Sequence, residues 1–257
     1  MNTIWITGGS SGIGFAVAQK FIQENWRVII SSSNEKKLES AKREIISRYE
    51  NCELHSYKCD ISNRSEVEKT IHKIEKDLDK IDIALLNAAA YSPNKNQDFE
   101  IANYEKLIDV NLKGTLYCIE MLKKQMESRK KGHIAIVSSP VGYRGLPTAG
   151  AYGLTKAGLI NLAESLYFDF GRYGVRVCLV SPGFIKTPMT DKNDFKMPFL
   201  KTPEFSADKI YNGLINSSKF EIHFPKELTL TLKFFKLLPS KIYFYLVKKL
   251  TKFQKKN

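Results

Sequence analysis

Between residues 3 and 224, short β-branched runs alternate with longer amphipathic stretches, and this alternation restricts the chain to few architectures. Runs at 3–7, 27–31, 53–58, 81–87, 133–138, 175–181 and 221–224 read as strands. Segments 12–24, 35–48, 65–78, 104–124, 151–170 and 207–217 carry apolar residues at helical spacing. Strand followed by helix, repeated, predicts a parallel sheet whose crossover helices cover both faces: an α/β, doubly wound, single-domain fold. Ligands of such sheets sit beyond the carboxyl ends of the strands. Asn63 with Glu66 resembles a capping box, and Ser206 is placed to cap the helix that follows it. The stretch 184–205, rich in Pro, Lys and Phe without clear periodicity, reads as a long lid-like loop.

Composition narrows the class further. A chain of 257 residues, 43% hydrophobic, can bury one full core. Its four cysteines have no redox or metal-ligand spacing and read as small buried hydrophobes of a reducing, cytoplasmic setting. No leader-like start and no apolar run long enough to span a bilayer is read. Net charge is +13, but residues 226–257 hold nine lysines against Glu227 and so account for +8 of it. The body keeps an ordinary +5, which gives no reason to expect a nucleic-acid partner. His55, His72, His133 and His223 lack metal-ligand spacing, and no metal is expected.

Chemistry concentrates in two places. Thr7-Gly8-Gly9-Ser10-Ser11-Gly12-Ile13-Gly14 follows the first strand and opens the first helix. Glycines there let the backbone turn tightly and approach a pyrophosphate, whose charge a helix N-terminus stabilises. Tyr-x-x-x-Lys occurs as Tyr91/Lys95, Tyr152/Lys156 and Tyr245/Lys249, so the spacing alone is cheap. Pro93 interrupts the first copy and the third lies in the basic tail. Tyr152/Lys156 lies in a helical stretch, downstream of Ser139 at the end of a strand. Residues four apart share a helix face, which puts the ammonium beside the phenol and favours the phenolate.

In order and interval these motifs resemble those of the short-chain dehydrogenase/reductase family over nearly the whole chain to about Phe224. The resemblance implies a Rossmann-like domain that binds NAD(P) through Thr7, Gly8, Ser10, Gly12, Ile13 and Gly14. It also implies an adenine-contacting acid at Asp60, Asn87 in an Asn-Ala-Ala stretch, the turn Pro182-Gly183, and Thr187 at the nicotinamide carboxamide. Asn111, Ser139, Tyr152 and Lys156 match the family's active-site set, with Tyr152 and Lys156 also touching cofactor. In that scheme Ser139 steadies the substrate oxygen, Tyr152 transfers its proton, and Asn111 holds a water connecting Lys156 to solvent. Two positions depart from the pattern. Ala89 replaces the usual glycine, and Ser31-Ser32-Ser33-Asn34 replaces the acid of NAD-preferring relatives. With Ser32 and Ser33 as hydroxyl donors and Lys36 and Lys37 behind them, NADP is favoured over NAD.

The expected protein is therefore an oxidoreductase that interconverts a small-molecule carbonyl and secondary alcohol, with an apolar substrate suggested by the lid's Phe and Met residues. A homo-oligomer is implied by the resemblance. Two alternatives stand beside it: a catalytically silent dinucleotide-binding sensor or scaffold, and a membrane-surface protein acting through its tail. Residues 1–225 read as the dinucleotide-binding catalytic domain and 226–257 as a basic amphipathic extension that Pro239 breaks into two helical pieces. Two readings of that extension stay open: packing on protein, or peripheral contact with an anionic membrane.

Overall fold

The computed structural model describes residues 1–92 and 99–253. Seven strands form one sheet in the order β3-β2-β1-β4-β5-β6-β7. They are β1 (Thr3–Thr7), β2 (Arg27–Ser32), β3 (Leu54–Lys58), β4 (Ile83–Leu86), β5 (Gly132–Val137), β6 (Val175–Pro182) and β7 (Glu221–Phe224), and every pairing is parallel. After β3 the chain returns past β1 to lay down β4. The order reverses there, between β1 and β4, which opens a crevice at their carboxyl ends.

Alternate residues of each strand feed opposite layers. Ile4, Ile6, Val28, Ile30 and Leu85 meet α1 (Gly12–Gln23), α2 (Glu35–Arg48) and α7 (Pro203–Ile215). Trp5, Ile29, Ala84, Leu86 and Ile134 meet α3 (Arg64–Leu78), α5 (Gly114–Ser128) and α6 (Gly150–Gly171). Trp5 is fully buried, and its indole N–H donates to Ser31 Oγ at 3.1 Å, so no polar group is stranded.

Several expectations need correction. The helix read over 104–124 is three pieces: α4 (Ile101–Leu107), a π-helical segment Ile108–Lys113, and α5. Asn63 does cap α3, accepting from Ser65 and Glu66 backbone N–H groups, but the Glu66 carboxylate accepts from Asp60 N instead of closing a box. Thr202, not Ser206, caps α7, with Pro203 as its first residue and the Thr202 hydroxyl accepting from Phe205 N at 3.2 Å. Ser206 sits one turn inside and donates back to Thr202 O. The loop read over 184–205 is consequently shorter and partly ordered, with an Ile185–Lys201 bridge and a 3₁₀ turn at Thr190–Lys192. Cys59, Cys118 and Cys178 are buried, whereas Cys52 is only half-buried.

Pro239 does divide the tail, into α8 (Lys226–Leu237) and α9 (Ser240–Thr251). One side of the pair is fastened to the body. Arg144 donates to the carbonyls of Phe235 (2.9 Å) and Leu238 (2.6 Å) and to Ser240 Oγ (3.2 Å), and its guanidinium lies 3.9 Å from the Tyr243 ring centroid. Tyr243 is buried and donates to Gly145 O at 2.7 Å. Glu221 takes hydrogen bonds from Tyr143 and Lys233. Among the described residues, no helix is long and apolar enough to cross a membrane.

Candidate active site

The glycine loop is built against the strand across the crevice. Thr7 Oγ1 accepts from the backbone N–H groups of Asn87 (2.9 Å) and Ala88 (3.0 Å). The Asn87 amide returns two bonds, to Thr7 O (3.0 Å) and Gly8 O (3.3 Å). Asn87 thus braces the loop from behind. Gly8 and Gly12 have φ of +68° and +56°, the left-handed region that a side chain would strain. A Cβ on Gly12 would come within 2.9 Å of Thr187 Cγ2, and one on Gly14 would strike Gly8 O. Backbone close-packing at these positions leaves a cradle at the α1 N-terminus that fits a pyrophosphate, and Ile13 is half-buried against the core below it.

Around that cradle the other expected contacts fall at strand ends. Ser10 Oγ donates to Ser32 Oγ at 3.0 Å, which joins the loop to the end of β2, while Ser33 is exposed. Asn34 spends its side-chain oxygen capping α2 through Lys37 N. Asp60, after β3, holds the Ser62 N–H (2.9 Å) and hydroxyl (2.7 Å) with one oxygen. Pro182 ends β6, and Gly183 N donates to Phe224 O at 2.7 Å. Thr187 is buried beside Gly12, its hydroxyl 3.3 Å from that of Thr190, which itself donates to Ile185 O at 2.6 Å. Thr190 had no sequence signal beyond its place in the lid.

Tyr152 and Lys156 occupy the first turns of α6. Lys156 is 2% exposed, donates to Val137 O at 2.9 Å, and has its ammonium 5.4 Å from the Tyr152 ring centroid. Ser138 Oγ donates to Lys156 O at 2.7 Å, and the 3₁₀ turn Pro140–Gly142 presses on the same helix, where a Cβ on Gly142 would come within 2.6 Å of the Lys156 carbonyl carbon. Ser139, which caps that turn, is therefore fixed to the helix turn carrying the Tyr-Lys pair. Asn111, buried in the π-helical segment, accepts from Ala90 N (2.7 Å) and donates to Ala90 O (3.1 Å) and Thr155 Oγ1 (3.1 Å). Its amide is spent on tying the loop after β4 to α6, so a water relay would have to use another part of the residue.

The electrostatics also differ from the sequence expectation. Burial pushes the Tyr152 phenol well above its ordinary value and pulls the Lys156 ammonium down to about 7. Desolvation opposes both charged forms, and the neighbouring Tyr91 adds to the rise at Tyr152.

A second tyrosine joins this site. Tyr91 packs edge-on against Tyr152 with ring centroids 5.0 Å apart. Its hydroxyl donates to Asn193 Oδ1 at 2.6 Å, and Lys192 Nζ donates to Tyr91 O at 3.2 Å, so the lid rests on it. Tyr91 belongs to a discounted Tyr-x-x-x-Lys copy, whose Pro93 and Lys95 lie outside the described residues. The Tyr245 of the third copy is exposed on α9. Among the described residues, no group of three or more His, Cys, Asp or Glu could hold a metal ion.

Comparison with known proteins gives the lineage. The short chain dehydrogenase family profile matches residues 2–197. An oxidoreductase of Staphylococcus epidermidis is 30% identical over 218 residues, covering 85% of this chain and 93% of that one. A 3-oxoacyl-(acyl-carrier-protein) reductase of Rickettsia felis is 38% identical over 191 residues, covering 74% and 75% of the two chains. Among solved structures, ElxO with NADP bound superimposes with a TM-score of 0.78 at 28% identity, over 90% of this chain and 99% of that one. The chain is an oxidoreductase fold of known lineage: it belongs to the short-chain dehydrogenase family.

Proposed function

We propose that the protein is an NADP(H)-dependent reductase of a ketone or aldehyde, with residues 1–225 as its catalytic domain and 226–257 as an extension. The observation that carries the reading is the Tyr152–Lys156 pair, its lysine buried and its tyrosine half-buried, with the Ser139 turn fastened beside it by Ser138 and Gly142. A phenol kept protonated by burial is suited to donate its proton to an oxygen that gains charge, which is the acid needed for carbonyl reduction. Ser139 would donate a hydrogen bond to the same oxygen. Bound reduced nicotinamide would supply the hydride, leaving the protein to supply position and electrostatics. Thr7, Gly8, Ser10, Gly12, Ile13 and Gly14 would hold the pyrophosphate side, Asp60 and Asn87 the adenosine path, and Pro182, Gly183 and Thr187 the nicotinamide end. Asn111 serves as a positioning residue through Ala90 and Thr155.

NADP is favoured over NAD because Ser32, tied to Ser10, stands where an acid would repel a 2′-phosphate. The NADP-bound structure of ElxO and the likeness to a 3-oxoacyl-(acyl-carrier-protein) reductase of Rickettsia felis support the same choice of cofactor and a carbonyl substrate. Phe184 and Phe195 meet edge-on in the lid, 5.8 Å between centroids, which favours an apolar substrate. The test is a carbonyl panel followed by NADPH absorbance, with Tyr152→Phe as control. That variant should keep NADPH binding by fluorescence titration and lose turnover by about 10²-fold or more. Near-native turnover by the variant would remove Tyr152 from its role.

A further inference from the structure

The two sides of the tail differ sharply. The inner side of α8 and α9 is pinned through Arg144, Tyr243 and Glu221. The outer side carries Leu230, Phe234 and Leu237 on α8, spaced four and three residues apart so that they share one face. On α9, Tyr245 lies opposite the buried Tyr243 and Val247, and Ile242 and Phe244 are exposed on its two flanks. Phe234 and Leu237 are 60% and 81% exposed, and Phe244 and Tyr245 58% and 65%. Among the described residues, twenty large hydrophobic side chains are exposed, and eight of them lie beyond residue 225. Single exposed apolar residues need no explanation, but such a concentration does.

The neighbouring charge names the chemistry of what would cover it. Lys236, Lys241, Lys248 and Lys249 are exposed on the same two helices, and among the described residues none of them lies in a salt bridge. A protein partner with a matching acidic and apolar face is one solution. An anionic bilayer surface is the simpler one, because it accepts aromatic and aliphatic side chains at its acyl boundary and ammonium groups at its phosphates without any fixed pattern. Each helix has 12 residues, about 18 Å of axis at roughly 1.5 Å per residue, so neither can cross and both can lie flat. We infer that the outer face of α8–α9 docks the enzyme on an anionic membrane surface. Pinning from the inside matters here, since a face already folded loses less conformational freedom on docking than a disordered tail.

The test uses the full chain and vesicles of phosphatidylcholine with or without phosphatidylglycerol. Co-sedimentation at low salt should be at least about tenfold greater with the anionic vesicles, given about fivefold per lysine near such a surface. Raising the salt to about 0.5 M should remove most of that difference, because screening shortens the reach of charge to under about 8 Å. Phe234→Ser with Phe244→Ser should abolish binding while leaving thermal unfolding and NADPH binding unchanged. Phe235 and Tyr243 are spared because they pack inward, with centroids 6.5 Å apart. Lys241→Glu with Lys248→Glu, a second pair that removes no buried group, should do the same. Failure to bind, or equal binding to neutral and anionic vesicles, overturns the proposal. So does an oligomer that ignores vesicles and dissociates in the serine variant, which would assign the face to a second copy of the chain.

Discussion

Lys156 offers a test that needs no substrate. Burial pulls its ammonium from an ordinary 10.5 down to about 7, so the fold carries a charge-burial penalty. The unfolded chain holds this proton until near pH 10.5, while the folded protein releases it near 7. Between those values the unfolded state binds more protons, and stability contributed at this position rises with pH. The gap of about 3.5, at about 1.4 kcal/mol for each tenfold step, is about 5 kcal/mol opposing folding below pH 7. At pH 9 only about 2 kcal/mol remains, since the unfolded lysine is then within about 1.5 of its own midpoint. Lys156→Met keeps the length and apolar bulk, removes the charge, and forfeits the bond to Val137 O at a cost of about 1 kcal/mol. The variant should therefore be more stable than the native protein by about 3–4 kcal/mol at pH 6 and by about 1 kcal/mol at pH 9. Urea unfolding without cofactor, followed by the fluorescence of Trp5 and Trp26, measures both values. Other titrating groups are common to the two proteins and cancel in the difference. A stability difference that stays constant between pH 6 and pH 9, or a variant less stable at pH 6, would refute the burial argument.

Two further outcomes are expected. Ser32→Asp should reverse the cofactor order, with NADH then binding more tightly than NADPH in fluorescence titrations, because the new carboxylate repels a 2′-phosphate; equal or better NADH binding by the native protein counts against the serine's role. Tyr91→Phe and Asn193→Ala should each raise KM more than they lower kcat and combine non-additively, with a coupling of about 1 kcal/mol for their shared hydrogen bond. Full additivity in that double-mutant cycle would show that the lid does not rest on Tyr91.

The alternation of strands and helices, the glycine loop and the neighbourhood of Tyr152 and Lys156 were legible because each is written in local sequence, whereas the strand order was not. A strand, a glycine-rich turn and a helix are consecutive, and Tyr152 and Lys156 meet through one helical turn. Contacts between distant segments left no such trace. Tyr91 and Asn193 are separated by 102 positions, and the link exists only because the lid folds over the end of β4. Asn111 was found by its motif, yet its partners, Ala90 and Thr155, come from a loop and a helix that no periodicity connects. Desolvation was equally invisible: spacing placed an ammonium beside a phenol, but only the fold fixes how little water reaches either. Ser206 was a reasonable cap by residue type, and Thr202 won because Pro203 starts the helix earlier.

The π-helical segment Ile108–Lys113 has a consequence for how this chain tolerates change. An α-helix advances about 100° per residue, so one residue more or fewer turns everything downstream by about that angle. Upstream of the segment, Leu107 is buried; within it, Asn111 must face Ala90; downstream, Cys118, Ile119, Leu122 and Met126 must face the sheet. The wider turn is what lets these requirements hold together in one continuous helix. Asp109 and Lys113, paired on the surface at 2.8 Å, are free to vary in kind. Their number is not. Removing a single residue between Ile108 and Lys113 would force a choice between Asn111 and the apolar face of α5, so this stretch is fixed in length where it is lenient in composition.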